Sequence, residues 1–189
     1  MRCLKCGKFS FKFICNECKF ALSEFENGVR YIDGFKVYYF YKYDSIKNLL
    51  YAKHQMHGHF VFKALANLSF KKFAKEFEFG SAVNAIPLDD NIRSGYSHTA
   101  VLARALKSPS IAPAYRALRA KSSVKYTGKS LEFRQKNPRN FELLKSIKNP
   151  VILVDDIITT GTSMKEAKNL LIKNGITPLF GLVLADARD

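Results

Sequence analysis

Several absences narrow the field before any motif is read. No apolar run reaches the roughly 18 residues that a transmembrane helix needs, so no segment is expected to span a bilayer. The N-terminus carries cysteine, lysine and aromatics instead of a basic head followed by an apolar stretch. A secretory signal is therefore not expected, and the cytoplasm is the default address. No G-x-x-x-x-G-K-[ST] occurs, which removes an ATP-type P-loop. Internal repeats and low-complexity tracts are also missing. Cysteine is absent after position 18, and acids are scarce: 16 Asp and Glu stand against 31 Lys and Arg, for a net charge of +15. The imbalance is sharpest between Arg104 and Lys148, where Arg116, Arg119, Lys121, Lys125, Lys129, Arg134, Lys136, Arg139 and Lys145 meet only Glu132 and Glu142.

A field of that sign attracts polyanions: nucleic acid, anionic head groups or phosphorylated substrates. Composition alone does not separate this from a lysine-rich surface that serves solubility. The hydrophobic share, 47% of 189 residues, is that of a packed protein with one domain of ordinary size and a small appendage.

The cysteines fall in two pairs, Cys3-x-x-Cys6 and Cys15-x-x-Cys18. Each has the spacing of a knuckle in which a tight turn lets two thiolates reach one metal, and Gly7 suits such a turn. Two knuckles close a tetrahedral Zn²⁺ site. Phe9, Phe11 and Phe13 alternate as a strand would, so residues 7–14 are expected to form a hairpin. Disulfides are the competing use, disfavoured in a cytosol; a redox pair would need only one CxxC. A unit this small cannot bury a core, so structural Zn²⁺ is expected to supply its folding energy. The organisation expected is a zinc-ribbon-like unit over 1–24 and an α/β domain over 25–189.

Along that domain, residues 34–43 (GFKVYYFYKY) read as a strand, and Asp44 offers a cap to a helix over 45–50. A helix is expected over 59–77 with Phe62, Leu65, Ala66, Phe73 and Phe77 on one side. An apolar run over 82–88, a helix near 97–106, a strand around 111–118 and a polar, basic loop over 121–140 follow. Then come a strand at Val151–Val154, a helix over 163–174 and a last strand near 179–184. Strands alternating with helices imply a mainly parallel sheet. His54, His57 and His59 match no metal spacing and read as a basic, solvent-facing turn. The aromatic run Tyr38–Tyr43 suits a core strand, or a surface that stacks single-stranded bases.

The decisive segment is Val151-Ile152-Leu153-Val154-Asp155-Asp156-Ile157-Ile158-Thr159-Thr160-Gly161-Thr162-Ser163. Four apolar residues make a strand buried on both faces, and two carboxylates stand where it ends, the place where α/β sheets bind ligands. Hydroxyl residues and a glycine then lead into a helix, with Ser163 and Glu166 spaced as a capping box and Gly175 as its terminator. Backbone N–H groups, hydroxyls and a helix N-terminus all converge on one anion. This pattern resembles the motif that binds phosphoribosyl pyrophosphate (PRPP) in type I phosphoribosyltransferases. The resemblance implies that Asp155 and Asp156 hold the ribose hydroxyls, that Thr159, Thr160, Gly161, Thr162 and Ser163 bind the 5-phosphate, with Ile157 and Ile158 also in the PRPP-binding segment, and that Mg²⁺ binds mostly through the ligand. Arg119 and Arg134, with Lys136, are the candidates for contact with the leaving pyrophosphate. His98 is a candidate base, although a lone histidine at a helix start is more often structural.

The tandem knuckles, Tyr43, an amphipathic helix ending in Lys53, Gly95-Tyr96-Ser97-His98 running into Leu102-Ala103-Arg104-Ala105-Leu106, Arg134-x-x-Asn137 before Phe141, and the closing Leu182–Arg188 together resemble the ComF-type competence proteins. That resemblance implies a type I phosphoribosyltransferase fold, a mainly parallel sheet with helices on both faces, behind a zinc-binding unit. It also implies a role in natural transformation, with PRPP and single-stranded DNA as ligands, a DNA-uptake helicase or membrane pore component as partner, and a place in the cytoplasm or at the inner face of the membrane. The chain has Ser97 and His98 where that family usually has Asn and Gln, and Asp89, Asp90 and Asn91 where it usually has basic residues. Acids there repel pyrophosphate unless Mg²⁺ intervenes. Three roles follow: a Mg²⁺-dependent transferase with an unspecified acceptor, a non-catalytic PRPP sensor that grips DNA, or an adaptor docking through the zinc unit.

Overall fold

Val151-Ile152-Leu153-Val154 offers no polar side chain to solvent, and such a run is stable only where both faces are covered. In the structure, a computed structural model describing residues 1–24, 26–88, 95–122, 133 and 137–188, it opens a central strand. Asp89, Asp90, Asn91, Arg134 and Lys136 lie outside the described residues. Among the described residues the main sheet has six strands: β1 (Gly28–Ile32), β2 (Phe35–Lys42), β3 (Val83–Pro87), β4 (Ile111–Pro113), β7 (Val151–Ile158) and β8 (Pro178–Asp186). Their order is β1-β2-β8-β7-β3-β4, all parallel from β2 onward, with β1 antiparallel at the edge. A separate antiparallel pair, β5 (Leu118–Ala120) and β6 (Phe141–Leu143), closes the long connection between them.

Alternation along the strands splits the core. Val151 and Leu153 pack with Ile86, Val183 and the Met164, Ala167 and Leu171 side chains of α6 (Thr162–Lys173). Ile152 and Val154 face the opposite way, toward α2 (Tyr43–Leu50), α3 (Gly58–Leu68), α4 (Phe70–Glu76) and α5 (His98–Ala105). The expected α/β architecture, a mainly parallel sheet with helices on both faces, is present.

Several elements differ from expectation for identifiable reasons. The strand over 35–42 is joined to β1 by Asp33-Gly34, both at positive φ (47° and 74°), as a type I′ hairpin turn requires. Its aromatic run is a core strand: Phe35, Val37, Phe40 and Tyr41 are buried. The helix expected over 59–77 breaks at Ser69 (φ −112°, ψ −74°), whose hydroxyl donates to the Leu65 carbonyl at 2.8 Å. Residues 111–118 are not one strand. Arg116, at φ 53°, turns the chain out of the sheet so that β4 stays on β3 while β5 joins β6. Asp44 lies inside α2, which begins at Tyr43, and pairs with Lys47 rather than capping.

Residues 1–24 pack directly on this body. Ile14 and Leu22 join the core cluster of Phe40, Phe62 and Leu65, and the buried Tyr41 hydroxyl donates to the Leu22 carbonyl at 2.7 Å. Among the described residues, no helix is long and apolar enough to cross a membrane.

Candidate functional site

β3 is followed in sequence by β4 on one side of it, whereas β7 lies on its other side and is followed by β8 beyond. Strand order therefore reverses between β3 and β7, and open α/β sheets form their ligand crevices beyond the carboxyl ends of the strands at such a point. Pairing of β3 with β7 ends at Pro87 and Val154, while β7 continues beside β8 as far as Ile158 and Asp186. Asp155 and Asp156 are thus the first residues of β7 past its β3 ladder.

Beyond Ile158 the chain turns through Thr159 and Thr160 into Gly161, which adopts φ 77° and starts α6. A side chain at Gly161 would also meet Ile32, so glycine serves both the left-handed conformation and the close approach of β1. The Thr160 and Thr162 hydroxyls lie 2.9 Å apart. Glycine brings no side-chain cap, and the first N–H groups of a helix have no partner within it. The loop therefore presents donors and the positive end of the helix dipole. The expected capping box is not formed. Ser163 lies within the helix, and Glu166 accepts the N–H groups of Arg139 (3.2 Å) and Asn140 (3.1 Å), tying the connection before β6 to α6.

The two acids have different surroundings. Asp156 is 6% exposed; its Oδ1 accepts the Ile157 N–H at 2.9 Å, and its Oδ2 accepts Lys53 Nζ at 3.0 Å and lies 3.4 Å from His98 Nε2. Burial opposes its ionisation, but Lys53 and then His98 outweigh burial and hold the carboxyl well below the ordinary range. Lys53 is raised in turn, first by the Asp156 charge. Asp155, partly buried, accepts the Asp156 N–H at 2.8 Å. Burial and then the Asp156 charge push its pKa well up. Arg139 is the cation that acts on Asp155. The Tyr96 hydroxyl donates to the Lys53 carbonyl at 3.2 Å, and burial, then Asp156, push its pKa up to about 12.

The structure thus gathers Asp155, Asp156 and residues 157–163, which run from the end of β7 into α6, and it adds Lys53, with which Asp156 forms its ion pair. Sequence reasoning placed Lys53 only at a helix end; its amphipathic setting gave no sign of a partner 103 positions away. His98 does reach the site. Arg119 is exposed on β5 and held by Glu142 across the β5–β6 pair, which also engages Lys121. Arg134 lies outside the described residues. Of the three histidines expected in a solvent-facing turn, His54 is exposed, whereas His57 is half-buried: its ring stacks on Phe13 (5.2 Å between centroids) and its Nε2 is buried without a partner among the described residues.

At the N-terminus the Sγ atoms of Cys3, Cys6, Cys15 and Cys18 all lie within 4.8 Å of one another. A tetrahedral site with Zn–S bonds of about 2.3 Å sets sulfurs about 3.8 Å apart, and Cys6 and Cys15 lie at 3.8 Å. The four cysteines are therefore positioned to hold a metal ion, with the donor set that suits Zn²⁺. The first knuckle turns at Gly7 (φ 75°), whose N–H bonds the Cys3 carbonyl at 2.8 Å. The second is the start of a helix, α1 (Asn16–Ser23), with Cys15 as its cap. The hairpin expected over 7–14 is not formed: the bridge found here joins Phe9 to Arg2, outside that span. Backbone N–H groups point at sulfur: Cys15 N–H at Cys3 and Cys18 N–H at Cys15, both at 3.4 Å. Burial opposes ionisation of Cys3, but the N–H groups around it bring its pKa down to about 6. Burial and the neighbouring thiols push Cys18 up, so four thiolates need a cation among them.

Comparison with known protein families finds no matching family, and comparison with curated proteins finds no match either.

Proposed function

We propose that the chain binds PRPP at the carboxyl end of β7, with a structural Zn²⁺ in the cysteine cluster, and that it serves the handling of single-stranded DNA in natural transformation, as the resemblance to ComF-type proteins implies. One observation carries the ligand reading: an acid pair, then a Thr-Thr-Gly-Thr-Ser segment, then a helix whose N-cap is glycine and whose Thr162 N–H meets a loop hydroxyl, that of Thr160 at 3.4 Å, all at the point where the strand order reverses. A 5-phosphate suits the donors of residues 159–163, and ribose hydroxyls suit carboxylate. Mg²⁺, held mainly by the ligand's pyrophosphate, is the expected co-ligand. Transfer would break the bond from the anomeric carbon to pyrophosphate and form one to an acceptor, with positioning and exclusion of water as the protein's main contribution.

Calorimetric titration of the zinc-loaded chain with PRPP, with and without Mg²⁺, tests this. Binding that needs Mg²⁺ and vanishes in Asp155→Ala/Asp156→Ala is the expected result. No heat from the folded wild type would reject it.

A second reading, a single-stranded DNA binder that uses PRPP as a signal rather than a substrate, has its own support. Phe9 and Phe11 are 73% and 89% exposed, Lys8 and Lys12 flank them in sequence, and Arg2 is bridged to Phe9. Exposed rings among cations are suited to unpaired bases. Affinity for an oligo-dT should then fall steeply with salt and drop about tenfold in Phe9→Ala/Phe11→Ala. Pyrophosphate release with an added nucleobase or amine would favour the transferase instead.

A further inference from the structure

The two adjacent acids are not equivalent, and what separates them lies outside the loop motif. Asp156 is engaged on both oxygens by the protein itself: Ile157 N–H on one, Lys53 on the other, and His98 3.4 Å from that second oxygen. Its side chain is 9% exposed and that of Lys53 20%. Turning this carboxylate outward to a neutral sugar hydroxyl would strand a largely buried ammonium, a poor exchange for one hydrogen bond. Asp155 has no Lys, Arg or His within ion-pair distance among the described residues, and the one backbone N–H it accepts is that of Asp156. Lys53 is held from three directions: it belongs to the 3-10 turn Tyr51–His54, its carbonyl accepts Tyr96, and Gly58 lies so close to Ala52 and Tyr96 that any side chain there would collide with both.

We propose that Asp155 alone takes the sugar hydroxyls, while Asp156 is an internal anchor fixed by Lys53 and His98 that sets the course of the backbone leaving for residues 157–163. Lys53 is thereby a positioning residue for a pentose-phosphate site, acting through Asp156. This assignment rests on the PRPP reading above.

The test uses the full zinc-loaded chain, PRPP with Mg²⁺, and two readouts, calorimetric affinity and thermal midpoint. Asp155→Asn should lose affinity by about thirtyfold, the scale of a lost charge-assisted hydrogen bond, with a midpoint at or above wild type. Lys53→Met and Asp156→Asn should each lower the midpoint by about 6 °C or more, and the double variant should be no less stable than either. Lys53→Met should also shift the pH profile of affinity. The groups facing Asp156 are Lys53, His98, Tyr96 and Asp155; without Lys53, burial and Asp155 are opposed by His98 alone, so affinity should begin to fall at a higher pH than in wild type, where the fall reports Asp155. Lys53→Arg should restore the wild-type profile.

Asp156→Asn losing more affinity than Asp155→Asn, with Lys53→Met binding like wild type, would overturn the proposal. A wild type that ignores PRPP would instead remove the ligand reading and with it the role of Asp155. The anchor would then be decided by the thermal cycle, where additive losses from Lys53→Met and Asp156→Asn overturn it and a shared loss sustains it.

Discussion

A single methyl group decides whether the turn bearing Lys53 can seat. At Gly58 an added Cβ would strike the Ala52 carbonyl, which is backbone and cannot swing aside, and the Tyr96 hydroxyl. Gly58→Ala should therefore cost about 2 kcal/mol or more in urea unfolding, at the upper part of the overpacking range. A loss below about 0.5 kcal/mol would mean the turn relocates freely. Asp155 gives a second prediction, with a sign. Its folded pKa is raised by burial and by Asp156, so it favours the fold when protonated and opposes it when ionised. Asp155→Asn should thus stabilise the chain at pH 7, and the gain should shrink once pH falls below the raised native pKa and vanish near about 4, where the unfolded carboxyl is protonated as well. Asp156 runs the other way: its depressed pKa contributes stability present above the ordinary aspartate range and lost on acidification below it. Chemical denaturation of both variants across that range separates them. At this scale the acid pair and the cysteines were legible in the sequence because their chemistry is local. Lys53 and the engagement of His98 were not, since an ion pair closed by tertiary folding leaves no trace in spacing.

Elements were legible where one signal dominates. β7 declared itself by an unbroken apolar run, and α6 by its period and by Gly175, whose positive φ and N–H bond to Ile172 end the helix as expected. The start of α6 was misread because Ser-x-x-Glu fits a capping box, while the fold gives the cap to Gly161 and sends Glu166 elsewhere. β1 was missed for a different reason: Gly28–Ile32 is an edge strand whose residues alternate between exposed and partly buried, so it lacks an apolar signature. The reassigned Glu166 is open to test. Its carboxylate accepts two adjacent N–H groups, a task an amide cannot share because its nitrogen would face one of them. Glu166→Gln should speed amide exchange at Arg139 and Asn140 by about tenfold, one lost hydrogen bond, and leave exchange in the rest of α6 unchanged. Uniform acceleration along the helix would restore the capping role.

Across the whole molecule the cysteine cluster and the α/β body pack as one object. Phe13, in the segment between the two knuckles, stacks on His57 (5.2 Å, 9°) and Phe60 (5.6 Å, 17°). Ile14 and Leu22 add buried surface, and the Tyr41 hydroxyl depends on the Leu22 carbonyl for its bond. The segment carrying Phe13 has little regular structure: one bridge joins Phe9 to Arg2, and the Phe13 carbonyl accepts the Leu4 N–H at 2.9 Å, so a metal in the cysteine cluster would be the main constraint on its course. Removing Zn²⁺ with a chelator should then release more than the first residues. The thermal midpoint of the full chain should fall by about 5 °C or more, and one metal per chain should appear in solution. Phe13→Ala should cost about 2 kcal/mol in the metal-loaded chain, below the range for a fully buried phenylalanine because this ring is partly exposed. In the metal-free chain the same substitution should cost almost nothing, since the contact is already lost. Equal costs in both states would show that Phe13 keeps its place without the metal, and that the cysteines organise only themselves.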